Sequence, residues 1–358
     1  MIYGGKQRHR HMAILLVLIF IVGFWVFKVN KKKDQIVDSS KLKIGLCMDS
    51  LIIERWQIDR DIFMARAKEL GAEVIVQNAG SDSNEQIIQI KYLINQGVNV
   101  LVIVPNNSDA LAPVVAAAKK KEIKVISYDR LIRKANVDLY ITFDNEKVGE
   151  LMGEAIVAKV PKGNYIIING NKQDYNAIEF NKGYMNAIKP SIDSGNIKIV
   201  NEVWSENWNE EEAIKCVEET IASGVEINGI VAANDALAQA VIEVLSENRM
   251  AGKVSVVGGD ADLSACQRVV EGLQLMTVYK PIVKMARDAA DAAVKMGKGD
   301  RMSTNDIIND GLFIIPTLKE FSTKVTKTNM LDIVVKSNFH KIEDIYRNIP
   351  RSEWPKEK

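Results

Sequence analysis

Residues 100–130 read VLVIVPNNSDALAPVVAAAKKKEIKVISYDR. They hold one complete strand–helix–strand unit. Val100–Val104 is a short apolar run of strand character, stopped by Pro105-Asn106-Asn107. Asp109–Lys121 follows as a helix that begins with an acidic residue and ends in Lys119-Lys120-Lys121, matching the helix dipole. Val125–Tyr128 is a second strand, ended by Asp129-Arg130. Strands joined through a helix lie parallel. In open parallel sheets the ligand crevice lies outside the carboxyl ends of the strands.

The same layout recurs outward from this unit. Ile44–Met48 leads to Asp49, with Arg55-Trp56 shortly after. Ile166–Ile168 leads to Asn169, with Asn176 close behind. Gly229–Ala233 leads to Asn234-Asp235, and Val254–Val257 to Gly258-Gly259-Asp260. A solvated loop explains any single pair of polar residues, but six successive strand ends point to convergence on one place. Asp, Asn, Arg and Trp are what a polyhydroxylated ligand needs. Hydroxyls both donate and accept, Arg offers a planar fork of donors, Asp only accepts, and Asn does both. Helix limits support the alternation. Ser83-Asn84-Glu85-Gln86 reads as a capping box for a helix stopped at Gly97. Pro281 opens another at N1, which Gly297 closes, with Ile282, Met285, Ala289 and Ala293 inward. About five strands precede Phe143 and a comparable set follows Tyr165, so the expected class is α/β, two similar lobes with a cleft between them.

The first 33 residues set an address. Met1–Met12 is basic, Ala13–Phe27 is an unbroken apolar run, and Lys31-Lys32-Lys33 closes it. A cleaved signal peptide has this layout, yet no small-x-small site follows and Gly23-Phe24-Trp25-Val26-Phe27 is too bulky. Cys47 lies too far on for a lipid anchor. The expectation is an uncleaved single-pass anchor over 13–29, with residues 1–12 cytoplasmic, 30–40 a linker, and the remainder extracytoplasmic at the cell membrane. That remainder, about 320 residues, suffices for two lobes. Lys+Arg 47 against Asp+Glu 46 leaves no basic face for nucleic acid. Cys47, Cys216 and Cys266 sit in apolar contexts and read as buried free thiols.

Other functions lack parts. His9, His11 and His340 include no ligand-spaced pair, so no metal site is expected. No nucleotide-type glycine fingerprint follows the first strand, and no nucleophile elbow is present; neither a cofactor nor catalysis is expected. A glycosidase needs two carboxylates across a scissile bond. A DNA-binding regulator of the same two-lobe architecture carries a helix-turn-helix headpiece where this chain has an apolar span.

Five motifs carry a resemblance: Leu-Ile-Ile-Glu-Arg-Trp (51–56), Val-Ile-Ser-Tyr-Asp-Arg (125–130), Phe-Asp-Asn-Glu-Lys-Val-Gly-Glu (143–150), Gly-Gly-Asp-Ala-Asp (258–262) and Met-Thr-Val-Tyr-Lys-Pro (276–281). From about Lys43 to His340 the chain resembles the periplasmic D-xylose-binding proteins, within the ribose/galactose-type solute-binding proteins. The resemblance implies a type I periplasmic binding protein: two Rossmann-like lobes with parallel sheets, joined by a three-segment hinge and closing over one monosaccharide. It puts the crossovers near Phe143–Asn145, Thr277–Pro281 and Asp310. The lobes would then comprise 41–143 plus 281–308 and 144–280 plus 309–345, followed by a mobile tail over 346–358. It also implies that Arg55, Asp129, Arg130, Asn176, Asn234, Asp260 and Lys280 reach sugar hydroxyls and that Trp208 stacks on the ring, with Trp56 a weaker stacking candidate. Asp129-Arg130 is also compatible with a loop ion pair, Trp56 with packing at the lobe edge, Lys280 with a hinge role, and Asp235 with capping the next helix. The expected function is a membrane-anchored D-xylose-binding protein whose closure acts on a sensor histidine kinase, the alternative being delivery to an ABC permease.

Overall fold

In the computed structural model, which describes residues 41–355, strand and helix alternate from the first element onward. β1 (Lys43–Met48), α1 (Glu54–Glu69), β2 (Glu73–Asn78), α2 (Ser83–Asn95), β3 (Val100–Ile103), α3 (Ala112–Lys120), β4 (Lys124–Tyr128) and β5 (Leu139–Phe143) begin the first lobe. The strands pair in parallel in the order β2-β1-β3-β4-β5. All four residues of β3 are fully buried. Apolar side chains of α1 cover one face of the sheet and those of α2 and α3 the other, which is why the strand carries a continuous apolar run and no alternation.

The chain crosses at Asp144 into a second lobe. There α4 (Asn145–Lys159), β6 (Gly163–Asn169), α5 (Tyr175–Asp193), β7 (Ile197–Trp204), α6 (Glu210–Ala222), β8 (Gly229–Ala232), α7 (Asp235–Glu247), β9 (Ser255–Val257), α8 (Leu263–Glu271) and β10 (Thr277–Tyr279) follow in turn. β7-β6-β8-β9 form a parallel sheet. The chain returns at Lys280-Pro281. α9 (Ile282–Gly297) buries Met285, Ala289 and Ala293 against the first sheet. The antiparallel hairpin of β11 (Asp306–Asn309) and β12 (Ile314–Glu320) then completes that sheet, β12 lying parallel to β5. After Glu320 the chain crosses a third time. β13 (Thr323–Val325) pairs with β10, and α10 (Ile342–Ile345) packs on α8.

Several expectations are corrected by this topology. Asp310 does not mark a crossover, and residues 309–320 belong to the first lobe. Asp310 sits in the β11–β12 turn, where its carboxylate accepts from the amides of Leu312 and Phe313 and from those of Ala135 and Asn136 between β4 and β5. Burial would raise this carboxyl, but the four backbone donors outweigh it and hold it low. α3 starts at Ala112, not Asp109, with Pro113 in its first turn, while Asp109 pairs with Arg133 at 3.1 Å. The cap of α2 is Asp82, one residue ahead of the expected box, accepting from the amides of Asn84 and Glu85. The segment from 346 is no loose tail as far as residue 355. Tyr346 is buried with Cys266, Val269 and Val270, and Trp354 packs beside it, its indole N–H donating to the Ile349 carbonyl at 2.8 Å. The stretches 1–12, 13–29 and 30–40 and the last three residues lie outside the described residues. Among the described residues no helix is long and apolar enough to cross a membrane. All three cysteines are buried free thiols, and burial pushes Cys47 up to about 12.

α4 and α5 cross closely because glycine stands at their contact. A Cβ on Gly183 would lie 2.0 Å from the Glu146 carbonyl oxygen, and one on Gly149 2.1 Å from that of Phe180. Backbone cannot yield to a methyl group as a flexible side chain can. Gly183→Ala is expected to lower stability by about 1–3 kcal/mol, the usual cost of overpacking. A reduced urea midpoint at unchanged slope is the readout, and an unchanged midpoint would contradict the close crossing.

Candidate functional site

A cleft between the lobes opens at the carboxyl ends of β1, β4, β6 and β8, where the topology predicts it. Its wall includes all nine candidates: Arg55, Trp56, Asp129, Arg130, Asn176, Trp208, Asn234, Asp260 and Lys280. Ile53, Asp174 and Phe180 complete it.

The first lobe supplies two buried cations on one indole. Arg55 and Trp56 open α1. The Trp56 ring is 4% exposed and packs into the lobe core. The Arg55 guanidinium lies 4.5 Å from its centroid and that of Arg130 5.3 Å. Arg55 bonds to Asp129 and stands 3.4 Å from Asp59, four residues on along α1. Arg130 bonds to Asp49 at 2.6 Å. Asp129 has a φ of 63°, a left-handed conformation that Asp tolerates better than most residues. Its carbonyl accepts from Tyr140 and Thr142 on β5. The Asp129-Arg130 pair is therefore no loop ion pair: the two side chains turn to different partners.

The second lobe meets these groups across the cleft. Asp174 caps α5, and its carboxylate takes Arg130 Nε at 2.7 Å and the Trp208 indole N–H at 3.2 Å. Asn176 Nδ2 donates to Asp129 Oδ1 at 2.9 Å, and its Oδ1 accepts from Asn145 at 3.0 Å. Asp260 stands 3.9 Å from Arg55 and holds Lys280 Nζ at 2.7 Å, with Lys280 lying 4.7 Å from the Phe180 centroid. Trp208 has a φ of 61°. Its ring lies flush on Gly170, where a Cβ would meet it at 2.3 Å.

Charge is balanced locally. Burial would raise the Asp129 carboxyl, but Arg55, then Lys280, hold it below its ordinary value. Asp174 is raised, burial outweighing Arg130. Arg55 loses hydration on burial yet stays firmly protonated beside Asp129, Asp59 and Asp260. Such an arrangement offers fixed donors, fixed acceptors and an aromatic face, and among the described residues no acidic, His or Cys cluster is built for a metal.

Two details differ from expectation. Asn234, not Asp235, caps α7, its oxygen accepting from the Leu237 amide. Asp235 faces away and ties Thr277, Gln274 and the Asp262 amide together. Asp174 and Phe180 are not visible as strand-end residues because Asp174 caps α5 and Phe180 lies within it. Phe180 lies one turn beyond Asn176, and that spacing is the signal that finds it.

The family model described as periplasmic binding protein domain matches residues 44–301. The D-xylose-binding periplasmic protein of Haemophilus influenzae is 46% identical over 309 residues, covering 86% of this chain and 93% of its own length. That of Escherichia coli K12 is 44% identical over 308 residues with the same coverage. An ABC transporter solute binding protein from Clostridium phytofermentans, solved with bound β-D-glucose, shares 29% identity and a TM-score of 0.79 over 85% of this chain and 99% of its own. These relatives are binding proteins, and this chain likewise works by binding and not by catalysis.

Behind Arg55, Asp59 accepts from the Tyr128 hydroxyl, and burial raises its carboxyl from 3.8 to about 6 against the pull of Arg55. The native state therefore takes up this proton at higher pH than the unfolded chain. The associated stability is complete below pH 3.8 and is lost as pH rises through about 6. Asp59→Asn is expected to flatten that component of the urea midpoint measured between pH 5 and 7. An unaltered pH profile would show that Asp59 titrates normally.

Proposed function

The chain belongs to the periplasmic binding protein domain family, and on that premise we propose that it is an extracytoplasmic D-xylose receptor that delivers sugar to an ABC permease. The observation carrying this reading is the set of paired donors and acceptors that both lobes present to one closed cleft, in a chain 46% identical to a D-xylose-binding protein. Trp208 offers its ring to the C–H face of the pyranose. Arg55, Asp129, Arg130, Asn176, Asn234, Asp260 and Lys280 offer partners to its hydroxyls. Lobe closure removes water from these groups, so a missing hydroxyl or a missing side chain leaves buried polar atoms unpaired.

Delivery takes precedence over kinase signalling. The relatives are named periplasmic binding proteins and the structural neighbour an ABC transporter component. The apolar run of residues 13–29 enters this proposal as a tether, raising the receptor's effective concentration beside a membrane partner. Intact mass of the membrane-extracted chain reads the tether directly: a product starting near residue 30–40 removes it.

Calorimetry of the full-length chain with D-xylose, D-ribose, L-arabinose and D-glucose tests the ligand. Binding of D-xylose on the order of micromolar, about −8 kcal/mol, is expected. Trp208→Ala is expected to weaken it by roughly 2 kcal/mol or more, as for other buried aromatic anchors. Tight binding of another sugar with no heat from xylose would sink the assignment. Pull-down of the chain from its native membranes with xylose is expected to recover an ABC permease; a histidine kinase without a permease would restore the signalling role.

A further inference from the structure

Asp260 and Lys280 reach the cleft from neighbouring stretches of backbone, and the first of these is strained. Asp260 and Ala261 have φ values of 114° and 58°, a region that non-glycine residues occupy only when their surroundings hold them there. The amides of this loop are all engaged. Asp260 N–H donates to the Val278 carbonyl at 3.0 Å, Ala261 N–H to Thr277 Oγ1 at 2.9 Å, and Asp262 N–H to Asp235 Oδ2 at 3.1 Å.

The acceptor side is held by the chain after the third crossing. His340 Nε2 lies 2.9 Å from the Ala261 carbonyl oxygen. A carbonyl only accepts, so Nε2 carries the proton. Cys266 Sγ, at 3.5 Å, is a weak second donor to the same oxygen. Beside His340, Phe339 meets the Tyr279 ring edge-on with centroids 5.1 Å apart, and Tyr279 directly precedes Lys280. Phe339 also packs against buried residues of both lobes. Consecutive residues thus brace the loop that carries Asp260 and the strand that leads to Lys280.

We propose that His340 is a positioning residue of the sugar site: by donating to Ala261 it holds the Asp260 loop in its left-handed form and aims the Asp260 carboxylate at ligand and Lys280, a role that rests on the receptor reading above. Phe339 acts with it, setting the Tyr279-Lys280 strand against the same loop. The contribution is geometric, since His340 does not line the cleft.

The test uses the full-length chain, D-xylose calorimetry, and amide hydrogen exchange without sugar. His340→Ala is expected to weaken xylose binding about tenfold, the effect of one lost part-buried hydrogen bond, and to speed exchange at the 260–262 amides by a similar factor. His340→Gln, which keeps an N–H donor, is expected to restore both. In an Asp260→Asn background, His340→Ala is expected to cost no further affinity, because the two act through one contact. Unchanged loop exchange in His340→Ala, equal losses in the Ala and Gln variants, or full additivity with Asp260→Asn would each overturn the proposal. If the unmutated chain binds no sugar, the receptor reading fails separately, and loop exchange alone then decides the role of His340.

Discussion

Two guanidiniums resting on one buried indole set the terms for the rest of this molecule. Arg55 and Arg130 are both nearly inaccessible, and a buried cation without a partner costs several kcal/mol. Within its own lobe Arg55 takes Asp129 with Asp59 beside it, Arg130 takes Asp49, and each faces a further carboxylate from the other lobe, Asp260 or Asp174. The two cross-lobe contacts are unequal. Arg130 and Asp174 meet at 2.7 Å, a true charge-assisted hydrogen bond, whereas Arg55 and Asp260 stand 3.9 Å apart and interact through charge alone. Closing the lobes adds a carboxylate from the second lobe to each guanidinium already paired within the first.

Irregular backbone also borders the same cleft. Asp129, Asn207-Trp208 and Asp260-Ala261 all hold positive φ without being glycine. Such conformations persist where surrounding bonds over-determine them. Tyr140 and Thr142 do so for Asp129, and Thr277 and Asp235 for the Asp260 loop. Gly170 has the complementary role, leaving room for the Trp208 ring where any side chain would displace it. The regular sheets provide rigid edges, and the unusual dihedrals turn individual side chains inward from them.

Much of this was legible in the sequence, for local reasons. Apolar runs such as Val100–Ile103 and the Ala-rich stripe of α9 report burial directly, because burial on both faces leaves no room for polar residues. Polar residues at strand ends report the cleft, because parallel strands all deliver their carboxyl ends to one side. The third crossing was not legible. β12 pairs with β5 across a long sequence separation, and nothing in residues 309–320 reveals which lobe supplies the partner strand. Asp174 was hidden differently: as the cap of α5 it satisfies a local rule, and its second task, pairing with Arg130, depends on a residue from the other lobe. The run of charges toward the C-terminus suggested a loose tail, but Tyr346, Ile349 and Trp354, spaced among those charges, suffice to dock it.

The three crossings also bear on how the chain reaches its fold during synthesis. The second sheet, β6 to β9, is drawn from one continuous stretch and has all its strands once residue 257 has emerged. The first sheet begins earlier but needs β12 and β11, and its covering helix α9 comes from the same late segment. Domains usually fold as units, N-terminal first, as the ribosome delivers them. Here the order is inverted: the N-terminal lobe must wait, with one apolar face of its sheet covered by α1 alone, until the inserted lobe has been made. For roughly 150 residues of elongation, about 8–30 s at ordinary rates, the α9 side of that face stays open to wrong partners.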